Sequence, residues 1–166
     1  MDVNFEAITE LIQKLCDSNQ TISTMESCTG GGLANAITSI SGASEVFEYG
    51  AVTYSNKGKI AMGGKEMSDV IDAYSVYSRE TAEMMAKTIA LFAGSSYGVG
   101  VTGQLGRLDP NNALSQSKLN QVDFSIYDSA GHTFDNVHLD LEDRDRRENK
   151  IIIINLIVQR LLQYNL

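Results

Sequence analysis

The sequence predicts one α/β domain over residues 1–166, a sandwich in which a mixed β-sheet is flanked by helices. Segments whose apolar residues recur at helical spacing alternate with short segments rich in β-branched and aromatic residues. The length of 166 residues suits a single well-buried core. A content of 43% apolar and 20% charged residues is ordinary for a globular protein.

The first third of the chain predicts two helices and two strands. Residues 4–15 place five apolar side chains on one helical face: Phe5, Ile8, Leu11, Ile12 and Leu15. Residues 21–26 form a β-prone run, and a second helix follows the glycines at 30–32. Residues 45–56 are rich in β-branched and aromatic side chains and predict the second strand. We interpret the next stretch, 56–66, as a turn with a short helix.

The remainder predicts a helix, a strand, a hairpin and a last helix. Ser78 is placed to cap a helix, and residues 97–103 follow as a buried strand. Apolar residues alternate over 122–126 and again over 134–141, which predicts a β-hairpin. Residues 146–164 predict the final helix, whose apolar excess leads us to expect a homodimer.

The longest irregular stretch covers residues 103–120 and contains the single proline, Pro110. Loops of this length inside a compact domain are usually functional or mobile. We therefore expect this segment to be either functional or mobile.

Charge and cysteine content exclude several classes of protein. Thirteen basic against 21 acidic residues give a net charge of -8, which argues against a nucleic-acid partner. Cys16 and Cys28 are too few and too far apart for a zinc site, so we expect free thiols and a cytoplasmic location. The most apolar run, 151–158, is far shorter than the roughly 20 residues of a membrane span. A small-molecule ligand is the expected partner.

The segment TMESCTGGG, residues 24–32, is the first candidate site. Ser27 stands where an apolar run ends, and Thr29, Gly30 and Gly31 follow at the start of a predicted helix. One interpretation makes Ser27 a nucleophile beside helix amides that bind an oxyanion or a phosphate. The other makes Ser27 or Thr29 an ordinary helix N-cap. Cys28 is a rival nucleophile.

A serine nucleophile needs a base, and the sequence offers lysines for that role. Both histidines, His132 and His138, fall in the predicted hairpin, where surface positions are expected. Tyr54, Lys57 and Lys59 follow directly after the second predicted strand. A buried lysine can serve as a base because burial lowers its pKa from about 10.4.

Taken together, these motifs resemble the CinA C-terminal domain family, the nicotinamide-nucleotide amidases. Five groups of residues match that family's pattern in register: Glu26-Ser27-Cys28-Thr29-Gly30-Gly31, Gly42-Ala43-Ser44, Gly50, Val52-Thr53-Tyr54-Ser55-Asn56 and Lys59. The match is close over residues 20–60 and looser elsewhere. Met25 replaces the alanine that is usual there.

The resemblance implies the CinA C-terminal fold and a reaction that converts nicotinamide mononucleotide and water to nicotinic acid mononucleotide and ammonia. It implies Ser27 as the nucleophile, Lys59 as the general base and Tyr54 as the residue that orients the proton. It requires no metal and no cofactor. The substrate-binding residues carried over from the family are Thr29, Gly30, Gly31, Thr102, Gly103 and Arg144.

The second half of the chain departs from the family pattern. Ser75-Val76-Tyr77-Ser78 stands where Gly-Ala-Val-Ser is usual, and residues 102–112 lack the usual Gly-Pro and double glycine. Bulkier side chains there change the wall of the nucleotide site. Two alternatives therefore stand beside the nucleotide amidase: an amidase for another substrate, and a non-catalytic protein that binds a ligand or partner.

Overall fold

The computed structural model describes residues 2–113 and 117–164 and shows a five-stranded mixed sheet flanked by five α-helices. The helices are α1 (Phe5–Asp17), α2 (Gly32–Thr38), α3 (Asn56–Tyr74), α4 (Arg79–Ala93) and α5 (Arg146–Leu161). The strands are β1 (Ile22–Glu26), β2 (Phe47–Val52), β3 (Tyr97–Gly103), β4 (Gln121–Asp128) and β5 (Thr133–Asp140). The predicted fold class is confirmed.

The strand order is β2-β1-β3-β4-β5. Strand β1 lies parallel to both β2 and β3, whereas β4 runs antiparallel to β3 and to β5. The carboxyl ends of β1, β2 and β3 therefore meet at one edge of the sheet, where binding sites of such folds form. Ser27, Thr53 and Gln104 are the residues that follow these three strands.

Alternating side chains of the central strands separate two helical layers. Val99 and Val101 of β3 point into the core formed with α1, α2 and α5. Met25 of β1 points to the other side, where it packs against Met67 of α3 and Met85 of α4. Helix α4 is also in close contact with β3, since Gly98 and Gly100 face its backbone.

The prediction of a turn with a short helix at 56–66 is wrong, because α3 extends over 19 residues. The hydroxyl of Ser55 caps this helix by accepting a hydrogen bond from the Gly58 amide at 3.0 Å. In the second half of α3, the side chains of Met67 and Ile71 are buried. Gly64, with φ of 64°, interrupts the helical backbone and divides α3 into two segments. Packing of the second segment overcomes the low helix propensity of the glycines.

The apolar excess of α5 is used inside the fold. Ile153, Ile157 and Leu161 are fully buried in the core shared with α1 and α2. Exposed aromatic surface lies elsewhere, at the contact between Tyr49 of β2 and Phe92 of α4. The homodimer stays a prediction. No helix within the described residues has the length and apolar character needed to cross a membrane.

The approach of α4 to β3 yields a test of the fold. A Cβ atom added at Gly98 would lie 2.1 Å from the carbonyl oxygen of Ala86 and 2.8 Å from the Cβ of Ala90. Gly98→Ala must therefore push α4 away from the sheet, and we expect it to lower the free energy of unfolding by about 3 kcal/mol or more. Urea unfolding measures this loss.

Gly131→Ala is the matched control. Gly131 is exposed in the β4–β5 turn, and its nearest neighbour is the Asp128 side chain at 3.3 Å. We expect a change within about 1 kcal/mol there. Equal stability of Gly98→Ala and wild type would contradict the close packing of α4 on β3.

Candidate active site

Ser27 and Lys59 form a buried pair at the carboxyl edge of the sheet. Ser27 follows β1, and Lys59 lies in the first turns of α3 after β2. The Lys59 Nζ atom lies 3.0 Å from Ser27 Oγ and 2.7 Å from the carbonyl oxygen of Thr53. Only 4% of Ser27 and 1% of Lys59 is exposed. The pair has the geometry of a nucleophile and its base.

Burial sets the protonation behaviour of this lysine. Removal from water lowers the pKa of Lys59 from 10.5 to about 8, against the opposing influence of Cys28 and Asp109. A substantial fraction of the amine is therefore neutral in weakly alkaline solution. Its rival Lys57 has an exposed side chain at the cavity wall.

The same burial disfavours Cys28 as the nucleophile. Desolvation raises the pKa of its thiol from 9.0 to about 12, although the charges of Arg146 and Lys59 act in the opposite direction. The reactive form of cysteine is the thiolate. Cys28 therefore stays a protonated thiol at neutral pH.

The turn from β1 to α2 is shaped by Glu26. Its carboxyl oxygens accept hydrogen bonds from the Leu33 amide at 3.0 Å, the Ala34 amide at 2.8 Å and the Thr29 hydroxyl at 2.7 Å. A fully buried side chain from the strand thus satisfies the first turn of the helix. Gly30 and Gly31 have φ of 65° and 86°, which the tight turn requires.

This arrangement corrects one of the two interpretations of the motif. The N-cap of α2 is Gly31, which makes no side-chain capping bond, so neither Ser27 nor Thr29 is the N-cap. The Leu33 and Ala34 amides are committed to Glu26. Sequence reasoning assigned Glu26 no role, although an acidic residue close to a helix start is a signal for this kind of contact.

A cavity of about 530 Å³ opens beside Ser27. Within the described residues, three cationic side chains and one carboxylate line this cavity. They are Lys57, Arg107 and Arg146, with Asp109. The chain as a whole carries a net charge of -8, so this cluster of cations is a local reversal of sign. The cavity suits a ligand with an anionic group.

Tyr54 and Arg146 form one wall of this cavity. The first residue of α5, Arg146, donates from Nη2 to the Tyr54 hydroxyl at 2.8 Å and from Nη1 to the Leu105 carbonyl. Tyr54 is 63% exposed. The structure therefore places its hydroxyl at the cavity wall, bound to the guanidinium.

The structure places some of the predicted substrate-binding residues at the cavity and others away from it. Gly103 lines the cavity. Thr102 is fully buried and donates to the Val76 carbonyl at 2.9 Å. Arg144 pairs with Glu142 on the surface, away from the cavity lining. Arg146, two residues further along, lines the cavity, and the predicted role of Arg144 in substrate binding stays a prediction.

Thr29, Gly30 and Gly31 lie behind Ser27 in the turn. The Thr29 hydroxyl is bound to Glu26, and the Gly30 amide donates to the Ser27 carbonyl at 3.0 Å. Their part in substrate binding stays a prediction. Among the described residues, no group of His, Cys, Asp and Glu side chains is placed to hold a metal ion.

A hydrogen-bonded network holds residues 109–112, which follow β3, at the wall of the cavity. Asp109 Oδ2 accepts from the Tyr77 hydroxyl at 2.6 Å and from Asn112 Nδ2 at 2.5 Å. Asn112 Oδ1 in turn accepts from Asn56 Nδ2 at 2.8 Å, at the start of α3. Sequence reasoning did not identify this network, because Asn56 and Tyr77 are distant in the chain from Asp109 and Asn112.

Comparison with known proteins places these features in a family. The CinA C-terminal domain model matches residues 5–162. A protein of Clostridium botulinum (strain 657 / Type Ba4), named as competence-damage inducible, is 34% identical over 150 residues, which are 90% of this chain and 34% of that protein. A CinA-like protein of Myxococcus xanthus (strain DK1622) is 43% identical over 96 residues, 58% of this chain and 23% of that protein.

Solved structures agree with this assignment. The competence/damage inducible protein CihA of Agrobacterium tumefaciens superposes with a TM-score of 0.84 at 26% identity, covering 95% of this chain and 93% of that one. A CinA superfamily protein of Klebsiella pneumoniae 700603 has a TM-score of 0.85 at 19% identity, covering 95% and 94% respectively, and shows the fold alone. The chain spans about a quarter to a third of the length of the curated relatives.

The burial of Lys59 predicts a pH-dependent cost to stability. The pKa of Lys59 is about 8 in the folded chain and 10.5 as its ordinary value, so the unfolded state binds more protons between these two values. The loss of folding stability caused by burying Lys59 is largest below pH 8, and it disappears as the pH rises to 10.5. We therefore expect Lys59→Met to lose on the order of 3 kcal/mol of stability relative to wild type across this interval.

Urea unfolding of both proteins at several pH values measures this change. Lys57→Met is the control, because the Lys57 side chain is exposed. We expect its difference in unfolding free energy from wild type to be the same at every pH. A flat difference for Lys59→Met as well would show that Lys59 is not desolvated in the folded protein.

Proposed function

The chain belongs to the CinA C-terminal domain family, and from this premise we propose that it is an amidohydrolase with Ser27 as nucleophile and Lys59 as general base. The observation that carries the proposal is the buried Lys59 Nζ, which lies 3.0 Å from the Oγ atom of Ser27, a residue that lines the cavity. A serine hydroxyl is a weak nucleophile on its own and needs a neighbouring base. Lys59 meets that need because its pKa lies near 8.

The reaction proceeds by acyl transfer. Neutral Lys59 accepts the proton of Ser27 as Oγ attacks the carboxamide carbon, and the resulting ammonium then gives a proton to the departing amine. Ammonia leaves, and Ser27 carries the acyl group as an ester. Water, deprotonated by Lys59, cleaves this ester to release the carboxylate and restore Ser27. Thr53 supports these steps because its carbonyl oxygen, 2.7 Å from Nζ, fixes the direction of the amine.

Nicotinamide mononucleotide is the substrate that we propose, with nicotinic acid mononucleotide and ammonia as products. The three cations that line the cavity favour a ligand with a phosphate group. Arg146 supports this role, since contacts to Leu105 and Tyr54 fix its guanidinium at the cavity wall. The cytoplasmic setting expected from the sequence is part of the same proposal.

Substitution of Ser27 tests the proposal. We expect Ser27→Ala to lower the rate of ammonia release from nicotinamide mononucleotide at least about a thousandfold, because the covalent step is lost. Cys28→Ser is the matched control at the adjacent position and should retain turnover. No turnover by folded wild-type protein would favour another amide substrate or a binding role. Loss of activity in Cys28→Ser alone would move the nucleophile to Cys28.

The rate should also depend on pH through Lys59. Only the neutral amine accepts a proton, so kcat/KM should rise about tenfold per pH unit in acid and neutral solution. It should level off above pH 8, where Lys59 is mostly neutral. A pH profile of kcat/KM measures the apparent pKa. Lys57→Met should leave that apparent pKa in place, and a profile without inflection between pH 6 and pH 9 would exclude Lys59 as the base.

A further inference from the structure

We propose that Asp109 recognises a positively charged ring on the substrate, so that the site prefers carboxamides of cationic rings to those of neutral rings. The inference rests on the proposed amidase function and adds to it a feature of the substrate, namely the charge close to the reacting carboxamide. Asp109 belongs to the loop in which the sequence departs from the family pattern.

The position of Asp109 is fixed by contacts from three directions. The Tyr77 hydroxyl at 2.6 Å and Asn112 Nδ2 at 2.5 Å bind Oδ2, and the Asn111 amide at 2.9 Å binds Oδ1. The Gln104 side chain accepts from the Asp109 amide at 2.8 Å. A carboxylate held in this way does not reorganise when a ligand enters, which is the condition for selective electrostatic recognition.

Asp109 is anionic at neutral pH. Burial raises the pKa of its carboxyl group, but hydrogen bonds from Tyr77, Asn112 and Asn111 outweigh it and hold the pKa below the ordinary value. The charge also reaches the reacting atoms, since Asp109 is one of the groups that raise the pKa of Lys59. A ring attached to a carboxamide at Ser27 therefore lies within the field of this carboxylate.

The distribution of charge in the cavity indicates the kind of substrate. Lys57, Arg107 and Arg146 supply positive charge, and Asp109 is the single acidic side chain lining the cavity in the part of the chain that the structure describes. An acidic group would only weaken the binding of a purely anionic ligand. Both signs together suit a ligand that carries a cationic ring and an anionic phosphate, as nicotinamide mononucleotide does.

Two ligands that differ only in ring charge test the inference. They are nicotinamide mononucleotide and the 5′-phosphate of 3-carbamoylphenyl riboside, whose benzene ring is neutral. Binding is measured by calorimetry in a Ser27→Ala background, and turnover is measured with Ser27 present. We expect Asp109→Asn to weaken binding and kcat/KM about tenfold for the pyridinium compound and less than about twofold for the neutral one.

Three further variants separate charge from structure. Asp109→Glu keeps the charge and should preserve the preference for the cationic ring. Tyr77→Phe removes one hydrogen bond of the loop and keeps the carboxylate, so the ratio between the two compounds should persist. Asp69→Asn removes one negative charge from an exposed position of α3 and is the control.

Equal losses for both compounds in Asp109→Asn, or binding of neither to the Ser27→Ala protein, would overturn the inference. The amidase proposal is judged separately from turnover. If Asp109→Asn weakens binding of the pyridinium compound alone while wild-type protein hydrolyses neither compound, charge recognition stands and the amidase proposal fails. If both are hydrolysed and Asp109→Asn affects both equally, the amidase stands and the inference fails.

Discussion

The buried carboxyl group of Glu26 connects the elements that make the site. Its side chain binds the first amides of α2 and fixes the turn that presents Ser27. Its main-chain carbonyl accepts from the Thr53 amide at 2.9 Å, and the Thr53 carbonyl accepts from Lys59. A single residue at the end of β1 thus sets the direction of the Ser27 and Lys59 side chains. A buried acidic group without these donors would cost several kcal/mol, so the turn and the carboxyl group require one another.

The burial of Lys59 beside Ser27 supports the proposed function and at the same time lowers the stability of the folded chain. An amine with almost no exposure loses its hydration, and this loss is the origin of its lowered pKa. In the folded protein Nζ makes two hydrogen bonds, to Ser27 Oγ and to the Thr53 carbonyl oxygen. These bonds fix the orientation of the amine, but they do not replace the hydration that it had in water. The same desolvation that destabilises the folded chain leaves more of Lys59 in the neutral form, which is the form that can accept a proton, at a pH closer to neutrality.

The sequence predicted the parts of the molecule that depend on local pattern. The strand predicted over 97–103 coincides with β3, and the alternation of Phe124 and Val137 identified the hairpin. Helix α3 was missed because Gly58, Gly63 and Gly64 weaken the helical signal, and packing of Met67 restores it. The burial of Lys59 could not be predicted from local pattern, because it depends on tertiary packing. Helix α5 begins at Arg146, as the sequence predicted, but the contacts of Arg146 with Leu105 and Tyr54 at the cavity join segments that are far apart in the chain.

The loop between β3 and β4 is closed at its base by two main-chain hydrogen bonds, from the Gln104 amide to Gln121 at 3.1 Å and from the Asn120 amide to Gln104 at 2.8 Å. These bonds fix the register of the strands whatever the loop contains. We therefore expect substitutions at residues 107–112, which line the cavity, to leave Ser27 and Lys59 in place. In the proposed amidase, natural selection can therefore change the substrate through the loop, while the Ser27–Lys59 pair is inherited unchanged.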